Sequence, residues 1–282
     1  MWLEELRQEY HQRICREIVR IQQGESAYPN FADKSSKASR EIAWRILEKI
    51  GYQTSQEQSL PGQTAGGRFE DVTRDFLEKA FQELQHIRPG KWLYKTGMNI
   101  SLFDQYEHLA RLQKLTIKNS DLSSIFGTEY LITPDITVSR EPLNDEEINR
   151  SMTIVEDSRL AGLTPLRKTN SSVPILHASI SCKWTLRSDR SQNARAEALN
   201  LIRQRKGNTP HIVVVVAEPL PTRIASLALG TGDIDCVYHF ALPELQQAIL
   251  EIHNEDQHDM LQTLIEGRRL RDISDLPFDL AI

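Results

Sequence analysis

A few side chains in this sequence have the types and the spacing to hydrolyse a phosphodiester. Pro134-Asp135 heads the segment "TPDITVSR", and Lys183 closes the segment "PILHASISCK". Such hydrolysis at neutral pH requires an attacking water, neutralisation of charge on the scissile phosphate and help for the leaving oxygen. Carboxylates holding Mg²⁺ supply most of this, and a nearby lysine orients or acidifies the water. In a Pro-Asp…(Asp/Glu)-x-Lys pattern, the two-residue period of a strand puts the second acid on the lysine's face, two positions ahead of it. Ser181 occupies that position and carries no charge. Glu197, about two turns into the helix that follows, can supply the missing carboxylate if that helix folds back over the strand end. Glu70, on a different helix, is a fourth candidate acid. Spacing alone leaves each acid a second reading, as a surface or capping residue.

Directly behind the lysine stands Arg187-Ser188-Asp189-Arg190. Two arginines can each donate paired hydrogen bonds to guanine O6 and N7, and an aspartate can accept from cytosine N4, so the cluster suits adjacent G·C pairs in a major groove. Ser188 or Asp189 can equally cap the next helix while the arginines pair with surface acids. Adjacency favours the first reading, because base readers four residues after a metal-site lysine would couple recognition to cutting.

The elements that must position these residues follow from periodicity. Leu3, Leu6, Tyr10, Ile14, Ile18 and Ile21 form one stripe on a first helix, which Gly24 can end, and a second helix is expected at about 37–50. "SLPGQTAGG" reads as turn-rich, followed by a third helix from Phe69 to about 86, with Glu70 in its first turns. A short strand near 92–95 and helical stretches near 102–115 and 120–126 lead to the strand headed by Pro134, a residue tolerated only at a strand start or edge. "PILHASISCKW" is the clearest strand, since Leu176, Ala178, Ile180 and Cys182 alternate with His177, Ser179, Ser181 and Lys183. A helix to Gly207, the buried run "HIVVVVAEP", a strand "DIDCVYHF" and a pair of helices at about 242–267 complete a mixed α/β sheet flanked by helices on both faces.

Composition narrows the function classes. A chain of 282 residues with no long linker reads as a single domain spanning 1–282. Cys15, Cys182 and Cys236 have no CxxC spacing, which argues against a disulfide scaffold or structural zinc and fits a reducing cytoplasm. No apolar run reaches the length of a membrane span. The net charge of −5 does not exclude DNA, because Lys183, Arg187, Arg190, Arg195, Arg203, Arg205 and Lys206 face only Asp189 and Glu197 in one segment. A solvated helix face is the alternative for that run. The histidines, His177, His211 and His239 included, show no pair at metal-ligand spacing. "LGTGD" lacks the ending of a phosphate loop and reads as a tight turn. The stripe of the first helix reads as core, with an oligomer interface as the second option.

Beyond these readings, the chain resembles the NgoMIV restriction endonuclease family, within the type II enzymes that read a CCGG core. The resemblance rests on "LPGQTAGGRFE", "LQHIRPG", "TPDITVSR", "LHASISCKWTLRSDRSQNARAE", "NLIRQRKG", "PHIVVVVAEP", "LALGTGDIDCVYHFAL" and "RLRDISDLPFDLA". It is weaker over the first 60 residues, near 97–105 and over 150–173. It implies a restriction-endonuclease-like PD-(D/E)xK core with the second acid shifted to a helix. Asp135, Lys183 and Glu197 would be the metal-site and catalytic residues, Glu70 a further acid there, and the backbone carbonyl of Cys182 an additional metal ligand. Mg²⁺, two per active site, is the implied cofactor.

Arg187, Asp189 and Arg190 would read the CCGG core, Arg223 in "LPTRIAS" the outer guanine and Asp33 the outer cytosine. Ser35, Gln63 and Ser188 would be weaker DNA contacts. The site implied is GCCGGC, cut after its first G to leave a four-base 5′ overhang, by a homotetramer of two back-to-back dimers in a prokaryotic cytoplasm. Two rivals remain at this point: a catalytically silent sequence-specific DNA-binding protein, and a structure-selective repair nuclease on the same fold.

Overall fold

The computed structural model describes residues 1–24, 26–51, 61–119, 131–156, 160–230 and 232–282, with only the backbone of 188–190. In chain order its elements are α1 (Trp2–Glu17), β1 (Ile21–Gln22), β2 (Tyr28–Pro29), α2 (Lys37–Lys49), α3 (Gly62–Glu83), β3 (Trp92–Thr96) and α4 (Glu107–Ile117). Then come β4 (Ile136–Arg140), β5 (Ile175–Lys183), α5 (Ser188–Gln204), β6 (His211–Val216), α6 (Pro221–Ala228), β7 (Cys236–His239), α7 (Leu242–Ile252), α8 (Glu255–Glu266) and β8 (Leu270–Asp272). Single turns of helix at Asp145–Ile148 and Leu276–Asp279 add to these. The chain builds two compact units: residues 1–88, 180–198 and 212–282 form the first, and 89–179 with 199–211 the second.

The first unit holds the strand order β5-β6-β7-β8, with residues 180–183 as its share of β5. β6, β7 and β8 run parallel, Val213 opposite Cys236 and His239 opposite Asp272. Parallel neighbours need crossover connections. α6 provides one between β6 and β7, and α7 with α8 provides the other. The run from Ile212 to Val216 is buried at every position, as a strand covered on both faces must be. α1 buries Leu6, Tyr10 and Ile14 and packs on α3, where the rings of Tyr10 and Phe76 lie 5.0 Å apart. Leu6, Tyr10, Ile14 and Ile18 of the expected stripe are therefore core, but the helix ends at Glu17 instead of running toward Gly24, and Ile21 lies on β1.

The second unit contains the antiparallel pair β3 and β4, Trp92 opposite Arg140 and Thr96 opposite Ile136, with residues 175–179 of β5 next in order. The sheet is thus mixed, as the pattern of elements predicts. Pro134 lies two residues ahead of β4, where its missing N–H interrupts no ladder.

Two expectations need correction. "PGQTAGG" is not a turn: α3 begins at Gly62, and Ala65 and Phe69, four residues apart, are both buried on its inner face. Each glycine costs a helix about 1 kcal/mol relative to alanine. Burial of that face outweighs the local preference. Glu70 consequently sits in the third turn of the helix, not in its first turns. The stretch expected to be helical over 102–115 opens as 3-10 turns at Ile100–Leu102 and Asp104–Tyr106 before α4, and the one expected at 120–126 lies outside the described residues.

Candidate functional site

β5 delivers Lys183 as its last residue. Leu176, Ala178, Ile180 and Cys182 point into the core, while Ser181 and Lys183 are half-buried on the other face, so the serine does occupy the acid position two residues before the lysine. The lysine carbonyl accepts the Ala217 N–H at 3.1 Å, which ties the strand end to the chain leaving β6. Trp184, next in sequence, is buried and anchors the turn-out of the strand.

An aromatic cluster inside the first unit organises what surrounds this anchor. The indole of Trp184 stands 5.3 Å from the ring of Phe31, 5.2 Å from Phe69 and 6.1 Å from Phe240. Phe31 precedes Asp33 by two residues, Phe69 precedes Glu70, and Trp184 follows Lys183. Three backbone segments that carry candidate residues are thus gathered by one apolar core. No such convergence is visible in the linear order.

The connection Trp184 to Arg187 leads into α5. Arg187 is exposed, and its carbonyl accepts the Ser191 N–H at 3.0 Å as the first turn closes. Glu197 lies in the third turn of α5 and is exposed. The side chains of Ser188, Asp189 and Arg190 lie outside the described residues. Asp135 belongs to the second unit, half-buried directly ahead of β4, its carbonyl accepting the Gly97 N–H at 3.4 Å. Among the described residues, no three His, Cys, Asp or Glu side chains form a ready-made metal cluster.

The two residues expected to read an outer base pair meet directly. Arg223, on α6, forms an ion pair with Asp33 across a chain separation of 190 residues. The N–H and the hydroxyl of exposed Ser35 donate to the same carboxylate at 2.9 and 2.8 Å. Together the Ser35 bonds and Arg223 hold Asp33 below the usual carboxylate range, at about 2. Gln63 is exposed in the first turn of α3.

Two residues of consequence escape a reading of the sequence. Glu218, where the apolar run of β6 ends, is 1% exposed. Its Oε2 accepts the Leu186 N–H and its Oε1 the Leu220 N–H, both at 3.2 Å, with Arg223 Nη1 3.9 Å away. Burial pushes this carboxyl up to about 7, against the pull of Arg223 and the two N–H groups. His239 at the end of β7 accepts the Ala241 N–H on Nδ1, so its Nε2 carries the proton and donates to the Glu218 carbonyl at 3.2 Å. Burial lowers that imidazole to about 4 and keeps it neutral. His239 is a strand histidine whose two ring nitrogens both bond backbone groups.

The second residue is Arg195 on α5. It pairs with Asp233 at 2.7 Å and donates to the Ser226 and Leu229 carbonyls at 3.4 and 3.0 Å, while the hydroxyls of Ser191 and Ser226 lie 2.9 Å apart. α5 is thereby clamped to α6. Gly230, at φ 119°, leaves room for the Arg195 guanidinium, which a Cβ there would meet at 2.6 Å. An acid two residues after a buried β-branched run is the one local signal that marks Glu218, and Arg195 shows in the sequence only as one member of a basic segment.

With this geometry in place, the comparisons are specific. The model of the NgoMIV restriction enzyme family matches residues 10–282. The type II restriction enzyme NgoMIV of Neisseria gonorrhoeae is 51% identical over 256 residues, covering 89% of either chain. Among solved structures, the type IIF restriction endonuclease Bse634I with cognate DNA covers 91% of this chain and 99% of its own, at 14% identity and a TM-score of 0.31. That last likeness is too distant to inform the site. No described helix is long and apolar enough to cross a membrane.

Proposed function

This chain belongs to the NgoMIV restriction enzyme family, and from that premise we propose its target, its cut and its working residues. It is a type II restriction endonuclease, a site-specific nuclease acting on DNA. The target is the palindrome GCCGGC, cleaved after its first G. A two-fold dimer reads one half-site per subunit, and two such dimers assemble back to back as a tetramer of single-domain subunits in the cytoplasm.

Arg187, Asp189 and Arg190 read the central CCGG. Arg223 reads the outer guanine and Asp33 its cytosine, with Ser35, Gln63 and Ser188 as supporting contacts. The observation that carries this reading is the direct meeting of Arg223 with Asp33, in the same unit in which Phe31, Phe69 and Trp184 draw the segments of Asp33, Glu70 and Lys183 into one core. A base pair offers a donor edge and an acceptor edge side by side, and an arginine beside an aspartate matches both.

The donor set suits Mg²⁺. That ion favours hard oxygen ligands and is commonly held by one or two carboxylates, the rest of its shell coming from water and substrate phosphate, so a cluster of three protein ligands is not required. Asp135 and Glu197 would hold it, with two ions per site and the Cys182 carbonyl as a further ligand. The chemistry supplied by bound Mg²⁺ is charge neutralisation at the scissile phosphate and its leaving oxygen. Lys183 donates to the attacking water, orienting it, and offsets charge on the phosphate. Glu70 tunes the charge around that ammonium.

Plasmids with two, one or no GCCGGC sites, incubated with Mg²⁺ or with EDTA, test the proposal. Cutting confined to those sites and dependent on Mg²⁺ is expected. Fragments ending elsewhere, or a two-site plasmid left intact with the metal, would overturn it.

A further inference from the structure

We propose that Glu218 is a positioning residue: its carboxylate bridges the connection that carries Arg187 and the helix that carries Arg223, and so couples recognition of the outer base pair to recognition of the core. The inference rests on the reader assignments above and adds a link between them.

Geometry makes the bridge. The two carboxylate oxygens point in different directions, Oε2 to the Leu186 N–H, one residue before Arg187, and Oε1 to the Leu220 N–H, at the start of α6. Arg223 lies one turn further along that helix, with Nη1 toward Glu218 and Nη2 on Asp33. A guanidinium is a planar fork, so two acids on its two arms fix the plane in which it can meet a base. Arg223 is 36% exposed, and the guanidinium so oriented is therefore accessible to DNA. Glu218 is itself held from behind, since His239 donates to its carbonyl from the end of β7. A hydrophobic residue would fill the same volume without linking the two readers.

The charge state of the bridge is adjustable. The groups facing Glu218 are Arg223 from α6, Asp33 from the loop before α2 and His239 from β7. Asp33 is held at about 2 and His239 at about 4, so neither changes charge between pH 6 and 8. Glu218, pushed up to about 7 by burial, does. Protonation removes its pull on Arg223 and weakens its hold on one N–H, which loosens both readers together.

The test is competition binding of duplexes in a Lys183→Ala background, expected to leave DNA uncut. The duplexes carry GCCGGC, a substituted outer pair or a substituted central pair, and the added changes are Glu218→Gln, Arg187→Ala and Arg223→Ala. Arg223→Ala should lower preference chiefly at the outer pair and Arg187→Ala chiefly at the central pair. Glu218→Gln should lower both by about tenfold, within the range one bidentate contact provides. Preference of the parent protein should weaken at both positions from pH 8 to 6, and that of the Gln variant should stay flat, a difference that general loosening of the fold would not produce.

Glu218→Gln retaining both preferences, or sharing the parent's pH slope, overturns the inference while the reader assignments stand. Arg187→Ala or Arg223→Ala retaining its own preference removes the reader assignment and the inference with it. Should the Gln variant fail to fold, the parent's pH series decides, and a flat profile at both positions overturns the bridge.

Discussion

Two arginine–carboxylate groups flank the end of β7, and they differ in how completely their charges are matched. In one, Arg7 bonds Glu244 at 2.8 and 2.6 Å and Asp272 at 2.9 Å twice, so the whole guanidinium fork is engaged. Asp272 also takes the Leu242 N–H at 3.0 Å and the Ser274 hydroxyl at 2.6 Å. Burial opposes ionisation of both acids, yet Arg7 outweighs it and holds them below the usual carboxylate range. In the other, Glu218 shares Arg223 with Asp33 at a longer distance, and burial wins, raising it to about 7. A saturated cluster locks α1 to α7 and to the end of β8. An unsaturated one keeps a charge close to its switching point.

This contrast breaks most readily at the lock. Arg7→Ala leaves the buried Asp272 and the half-buried Glu244 without their cation and should cost about 3–5 kcal/mol of stability, measured by chemical denaturation. The ratio of cleavage at cognate over substituted sites should not move at temperatures where the variant is folded. A changed ratio would mean that the two clusters are not separate in function.

The next effect concerns pH. For a carboxyl raised from 4.5 to about 7, the stability it contributes is fully present below the unfolded value and is lost as pH rises through the folded one. Relative to Glu218→Gln, the unsubstituted protein should therefore lose roughly 3 kcal/mol between pH 4.5 and 8. Parallel unfolding curves for the two proteins over that range would show that Glu218 has an ordinary pKa, and the contrast with Asp272 would vanish.

The smallest effect sharpens the comparison at the DNA. Arg223→Ala should remove about 1–3 kcal/mol of discrimination at the outer base pair, and cost less than about 1 kcal/mol of stability, because its ion pair is partly solvated. Binding titrations against outer-substituted duplexes, set beside unfolding curves, separate the two. A variant that unfolds easily but keeps its preference would place Arg223 with Arg7, as structure.

Much of the frame is legible in the sequence, for reasons that differ by element. β5 is recognisable because one face is apolar and the other is not, and β6 because a strand buried on both sides has no polar position to interrupt it. α3 is misread at its start, since three glycines near a proline outweigh Ala65 as a local signal while the packed face decides the outcome. β8 spans three residues, too few for any alternation to register. Among the site residues, a lysine closing a strand and an Arg-x-Asp-Arg cluster behind it announce themselves by type and order. Glu218 and Arg195 do not, since each matters through partners far along the chain.

The sequence by itself determined which groups are available and in what order: the acids Asp135, Glu197 and Glu70, the base Lys183, the Arg187–Arg190 cluster behind it, and the strands and helices that carry them. Side-chain type and short-range periodicity are local properties, and they survive without coordinates. Only the tertiary structure decided that Asp33 meets Arg223 across 190 residues, that Trp184 gathers three segments, and that one glutamate among many is poised near neutrality. Burial and Coulomb energy depend on distance in space, and the distance along the chain does not encode them.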